Sequence, residues 1–308
     1  MSLAFVFPGQ GSQSLGMLKE LAESYPVVTQ TFTEASDALG YDLWQVVQEG
    51  PADKLNSTDV TQPAMLAAGV AAWRVWLEKG GPTPSVMAGH SLGEYTALVC
   101  AGAIEFRDAI KLVAERGRLM QQAVPAGEGG MAAILGLDDD AVRQACVDAA
   151  EGDVLEAVNY NSPGQVVVAG SKAAVDRIVV LAKERGAKRA LPLPVSVPSH
   201  CALMKPAAEK LAEALTGINV SSPDIPVINN VDVASASDAD AIRDALVRQL
   251  YSPVRWVETV QKMATDGTSR LVECGPGKVL VGLNKRIDKT INAMALFDPA
   301  TLDAALES

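Results

Sequence analysis

One five-residue motif, Gly89-His90-Ser91-Leu92-Gly93, restricts what this chain can fold into more than any other feature. A short apolar run, Ser85-Val86-Met87-Ala88, leads into it, and an apolar stretch from Leu92 to Ala101 leads out. The first reads as a buried strand and the second as a helix. G-x-S-x-G between a strand and a helix predicts a nucleophile elbow, a sharp turn that exposes the serine hydroxyl while the glycines relieve crowding. The helix that starts at Leu92 also brings free N–H groups to the place where an attacked carbonyl would gain negative charge.

The remaining chain supplies the setting for such a turn. A first strand is expected at residues 3–7, broken by Pro8-Gly9-Gln10-Gly11-Ser12-Gln13. Helices are expected at about 62–79, stopped by Gly80-Gly81, and at about 107–124, stopped by Pro125. Between residues 129 and 193 the pattern changes. Strands at 131–135, 155–159, 165–169 and 188–193, with helices at 138–149 and 171–185, give the order βαββαβ of a ferredoxin-like unit. Pro125-Ala126-Gly127 punctuates its start and the proline-rich stretch 192–198 its end. Strands at 227–229 and 271–273 then alternate with helices, so the larger α/β unit resumes. Residues 1–125 and 197–308 are therefore expected to form an α/β catalytic domain, with residues 126–196 inserted as a small domain and the site in the cleft between.

Bulk properties remove several function classes. A net charge of −11 argues against general nucleic-acid binding. Among the longest apolar runs is Ala64 to Trp73, half the roughly 20 residues of a membrane helix, so no membrane span is expected. No positive charge precedes Lys19, and Cys100, Cys146, Cys201 and Cys274 form no CxxC pair. Reduced thiols and a cytoplasmic location are the expectation. No cluster of His, Cys and acidic residues has metal-ligand spacing, and neither metal nor cofactor is expected. Gly9-Gln10-Gly11 is not a dinucleotide fingerprint, because its third glycine position is occupied by Ser14.

A serine hydroxyl is a weak nucleophile until a base takes its proton. The chain has two histidines. His90 adjoins Ser91 on a tight turn, where neighbouring side chains point apart, so it is expected to support the elbow. His200, in Pro198-Ser199-His200-Cys201, is the candidate base, and only the fold can bring it to Ser91. No carboxylate has an obvious claim to orient it. Glu94 and Tyr95 read as structural, and Cys201 and Cys274 as core.

Four segments carry a resemblance over nearly the whole chain: Phe7-Pro8-Gly9-Gln10-Gly11-Ser12-Gln13, Gly89-His90-Ser91-Leu92-Gly93-Glu94-Tyr95, Val197-Pro198-Ser199-His200-Cys201 and Gly275-Pro276-Gly277-Lys278-Val279-Leu280. Together they resemble the malonyl-CoA:acyl carrier protein transacylases. The resemblance implies an α/β-hydrolase-like core with a ferredoxin-like insert, and a ping-pong transfer of malonyl from malonyl-CoA, through a serine ester, to the phosphopantetheine thiol of acyl carrier protein. The pathway served would be fatty acid or polyketide synthesis. It implies Ser91 as nucleophile, His200 as base, and the Gln10 and Leu92 backbone N–H groups as oxyanion hole. Arg116, in Ala114-Glu115-Arg116-Gly117-Arg118, is implied as the clamp for the malonyl carboxylate, and the Gln249 backbone carbonyl as the group that orients His200. Two basic pairs, Lys188-Arg189 and Lys285-Arg286, are candidate docking points for an acidic carrier protein. A monomer is expected. The rival readings are a serine esterase or thioesterase, whose histidine usually lies nearer the C-terminus, and a non-catalytic carrier-protein scaffold.

Overall fold

The structure is a computed structural model that describes residues 2–195 and 197–308; Ser196, at the expected end of the insert, lies outside them. The described strands are β1 (Ser2–Phe7), β2 (Val86–Gly89), β3 (Gly129–Leu135), β4 (Leu155–Ser162), β5 (Gln165–Ser171), β6 (Arg189–Pro192), β7 (Val227–Ile228), β8 (Thr268–Cys274) and β9 (Asn292–Leu296). They form a mixed α/β protein with two sheets. One is parallel, in the order β7-β2-β1-β8-β9. The other is antiparallel, in the order β4-β5-β3-β6.

The central strand β1 reads Leu-Ala-Phe-Val-Phe because both of its faces are covered, as parallel sheets require. Phe5 meets the edges of Trp73 and Trp76 at centroid distances of 5.2 and 5.1 Å. Ala4 and Val6 pack on the opposite face with Trp256 and Val260. The helix bearing the two tryptophans, Thr58–Glu78, starts four residues before the sequence expectation and contains Pro63. It is buried nearly all round, and that packing outweighs the hydrogen bond lost at the proline. Strand β9 was not foreseen: Asn292-Ala293-Met294-Ala295-Leu296 has little strand propensity, and it forms by pairing in register with β8.

Period-two alternation organises the small sheet. Ala132, Ile134, Val166 and Val168 face the helices Asp139–Ala150 and Lys172–Glu184, meeting Val142, Cys146, Val175 and Ile178. Met131, Val167 and Ala169 face the other way and pack against Cys201, next to His200. At its edge, β4 is joined to the segment that follows Gln249. The Val254 amide donates to the Val158 carbonyl at 2.8 Å, and the Tyr160 amide donates to the Val254 carbonyl at 3.0 Å.

The carboxyl ends of β1, β2, β7 and β8 converge, and the helix Gly93–Cys100 leaves from the end of β2. Its approach is very close. A Cβ on Gly89 would lie 1.8 Å from the Gly93 carbonyl carbon, and one on Gly93 would lie 2.0 Å from the Phe7 carbonyl oxygen. Both glycines of the motif are therefore required by contact between backbones, which cannot yield as a side chain can. Gly93→Ala is expected to cost about 1–3 kcal/mol or more, read as a fall of several degrees in Tm. Gly217→Ala, whose Cβ would meet only Ala214 O at 3.6 Å, should leave Tm nearly unchanged. Equal melting of the two variants would contradict this account of the elbow.

Candidate active site

The close approach at Gly89 and Gly93 forces Ser91 into the left-handed region, at φ 51°. Its hydroxyl lies 2.8 Å from His200 Nε2. His200 is also left-handed, at φ 68°, and its amide donates to the Leu250 carbonyl at 2.9 Å. Its Nδ1 lies 2.8 Å from the Gln249 carbonyl oxygen. A carbonyl only accepts, so Nδ1 carries the proton and Nε2 presents a lone pair to the Ser91 hydroxyl. The fold thus joins two residues that lie 109 apart in sequence and sets the Gln249 carbonyl against the second.

Burial, followed by the nearby Arg116 charge, pushes the His200 imidazole down to about 3. The ring is therefore neutral near pH 7 and able to take a proton. His90 turns its ring away from Ser91 towards the small sheet. Its Nε2 lies 2.8 Å from Asn161 Oδ1, and its ring lies 5.6 Å from that of Trp256. Burial lowers its pKa as well.

Arg116, on the helix Phe106–Ala123, is 1% exposed. Its Nη1 donates to Gln62 Oε1 at 2.9 Å and its Nη2 to Gln249 Oε1 at 3.0 Å. The same Nη2 lies 3.4 Å from Ser91 Oγ, and the guanidinium sits 5.3 Å from the centre of the Tyr95 ring. Its hydrogen-bond partners, two side-chain amides and the Ser91 hydroxyl, are all uncharged, and its Nε has no acceptor among the described residues. A buried guanidinium held this way is fit to take a carboxylate beside the nucleophile.

The Ser91 amide donates to Asn230 Oδ1 at 2.7 Å and so is not free to bind an oxyanion. The Leu92 and Gln10 amides have no acceptor among the described residues. Leu92 is buried in the turn, while Gln10 is exposed on the loop after β1. Of the four docking candidates, Lys188, Arg189 and Arg286 line one groove with Gly136, Asp138 and Gly164, and Arg286 donates to Gln165 Oε1 at 2.9 Å. Lys285 is exposed on the same helix as Arg286, Val279–Ile287, but does not line that groove. No group of three or more His, Cys, Asp or Glu side chains able to hold a metal occurs among the described residues. No helix among them is long and apolar enough to cross a membrane.

Sequence reasoning missed Gln62, Asn161 and Asn230. Amides carry no motif, yet Asn230 has a positional signal: it lies two residues past β7 of the parallel sheet, at the carboxyl edge where such sheets bind ligands.

A serine hydroxyl, a neutral imidazole and a buried arginine at the edge of a parallel sheet are groups suited to acyl transfer. Residues 4–295 match the model of the acyl transferase domain, and the chain belongs to this family and, within it, to the malonyl CoA-acyl carrier protein transacylases. It is 63% identical to the "Malonyl CoA-acyl carrier protein transacylase" of Salmonella typhimurium over 303 residues, 98% of each chain. The Escherichia coli protein of the same name is 62% identical over 304 residues, covering 99% of this chain and 98% of its own. Among solved structures, an acyl carrier protein S-malonyltransferase from Vibrio cholerae matches with a TM-score of 0.97 at 64% identity, over 99% of each chain. A type II PKS acyl-carrier protein in complex with its malonyl-transacylase matches with a TM-score of 0.99 at 62% identity, over 100% of this chain and 99% of that one.

The depressed His200 pKa gives a pH expectation. Inactivation of Ser91 by an uncharged sulfonyl fluoride should be flat between about pH 5 and 8, because the base stays unprotonated throughout. In Arg116→Ala the neighbouring cation is gone, His200 holds a proton more readily, and the acidic fall-off should move to higher pH. A wild-type rate that halves near the ordinary histidine value would contradict the assignment.

Proposed function

We propose that this chain transfers a malonyl group from malonyl-CoA to the phosphopantetheine thiol of acyl carrier protein, through an ester on Ser91. His200 Nε2 accepts the Ser91 proton as Oγ attacks the thioester carbonyl. The negative charge then developing on the carbonyl oxygen is met by the Leu92 and Gln10 N–H groups. When the C–S bond breaks, the departing coenzyme A sulfur takes the proton from His200. In the second half, His200 accepts the carrier-protein thiol proton, the sulfur attacks the serine ester, the C–O bond to Ser91 breaks, and the departing Oγ takes the proton back from His200. The observation that carries this reading is the position of Arg116. A buried guanidinium 3.4 Å from the nucleophile favours an acyl group that ends in a carboxylate over one that does not.

The same reading includes an α/β-hydrolase-like catalytic domain of residues 1–125 and 197–308 interrupted by a ferredoxin-like domain of residues 126–196. The strand order β4-β5-β3-β6, with both helices on one face, supports that division. Cys100, Cys146, Cys201 and Cys274 are without disulfides, which suits the cytoplasm. Carrier-protein docking at the Lys188, Arg189 and Arg286 groove is supported by the shared placement of three cations in an acidic chain. Lys285 would add charge at longer range.

Malonyl-CoA alone should add one malonyl group to the wild-type protein, on the peptide that contains Ser91. Ser91→Ala should abolish the adduct, and His200→Ala should slow it by about 10²–10⁴; an adduct that survives in Ser91→Ala overturns the mechanism. Arg116→Ala should lose about 3–5 kcal/mol of malonyl transfer by leaving the substrate carboxylate unpaired, while acetyl transfer is spared. Equal loss for both acyl groups would make Arg116 merely structural. Arg189→Glu with Arg286→Glu should raise KM for acyl carrier protein without slowing the first half-reaction, and added salt should mimic the defect in wild type.

A further inference from the structure

Behind the reactive groups lies a buried polar junction that the transfer mechanism does not use. Glu94, in the first turn of the helix Gly93–Cys100, is 2% exposed. One of its oxygens, Oε2, accepts from the Asn230 amide at 2.8 Å and from Gln249 Nε2 at 2.9 Å. Each of those residues reaches the reactive groups. The Asn230 side chain spans the elbow, donating through Nδ2 to the Gly89 carbonyl and accepting from the Ser91 amide, both at 2.7 Å. Gln249 donates through Nε2 to the Ser91 carbonyl at 3.0 Å, accepts from Arg116 at Oε1, and accepts from His200 at its main-chain oxygen.

We propose that Glu94 is a positioning residue for the transfer reaction, whose buried oxygen fixes Asn230 and Gln249 and through them the alignment of Ser91, His200 and Arg116. The inference rests on the reading of Ser91 as the acylated residue. Its physical basis is the two-ended nature of an amide. Gln249 can place either its oxygen or its NH2 group on a given side, and only the oxygen can accept from a guanidinium. Glu94 and the Ser91 carbonyl both accept from Nε2, so the NH2 end must face them and the oxygen must face Arg116. Without the Glu94 acceptor, Gln249 and the Asn230 main-chain amide each lose a buried partner, and the NH2 end of Gln249 is held by one bond where there were two. The group that binds the substrate carboxylate then loses its fixed place beside the nucleophile.

Two acylation rates separate this role from a general loss of folded protein. Wild type, Glu94→Ala, Glu94→Asp and Glu94→Gln are each mixed with malonyl-CoA and, separately, with acetyl-CoA. The rates of Ser91 acylation are followed by intact mass, and folding by thermal melting. A smaller active fraction would lower both rates equally and leave their ratio unchanged. Displacement of Arg116 lowers the malonyl rate more. Glu94→Ala, and Glu94→Asp with its oxygens drawn back by one methylene, should show a malonyl-to-acetyl ratio reduced on the order of tenfold or more. Glu94→Gln, which keeps an acceptor at the same reach, should recover most of that ratio. If Glu94→Ala does not fold, Glu94→Asp decides. A folded Glu94→Asp with the wild-type ratio overturns the proposal, and so does a Glu94→Gln protein as unselective as Glu94→Asp. Absence of any malonyl adduct in wild type overturns the underlying reading of Ser91 and this inference with it.

Discussion

How closely one helix end can approach two strands decides the geometry of everything around it. At positions 89 and 93 the backbones leave no room for a Cβ, and the chain between them has to turn through a left-handed residue. Such a conformation costs about 1–3 kcal/mol at a residue other than glycine. It persists because its surroundings over-determine it: the Ser91 amide is tied to Asn230 and its carbonyl to Gln249. His200, left-handed as well, is tied by its amide to Leu250 and by its ring to Gln249. The Ser91 and His200 side chains therefore both hang from left-handed backbone held by fixed partners.

The electrostatics follow from a preference for neutral partners. In the familiar serine–histidine–aspartate arrangement, a buried carboxylate orients the imidazole and stabilises its protonated form. Here a main-chain carbonyl orients it, and a cation lies nearby, which together with burial keeps the ring unprotonated. A carbonyl stabilises imidazolium less, which suits a sulfur leaving group that departs readily. Arg116 is held by two amides, and the nearest acid, Glu94, reaches it only through Gln249. Burial raises Glu94 to about 7 against the pull of its N–H donors and of Arg116. The guanidinium keeps unspent capacity for a carboxylate because none among the described residues is bonded to it.

Much of this was legible in the residues. The elbow could be read because its chemistry demands a rare pattern in a fixed order, and the alternation in β3 and β5 because each face of the small sheet meets a different apolar layer. The pairing of Ser91 with His200 is a long-range contact with no local signature; it is readable only because the chain has two histidines and the other adjoins the serine. Asn230 and Gln62 escaped because an amide serves equally well on a surface, and only its partners reveal its use. The partners of Glu94 are hidden for a related reason: position on a helix says which face a residue occupies but not what receives it. Lys285 and Arg286 are neighbours in sequence, but on a helix neighbours point apart, and only the second reaches the basic groove.

The attachment of β4 to Val254 bears on how the protein opens. Val254 lies a few residues past Gln249, and the other face of the small sheet covers Cys201 beside His200. Any fluctuation that peels the small sheet away must break those backbone bonds and uncover the segment that sets the imidazole. The sheet and His200 therefore belong to one cooperative unit of local unfolding, although the chain enters and leaves the sheet as though it were a separate body.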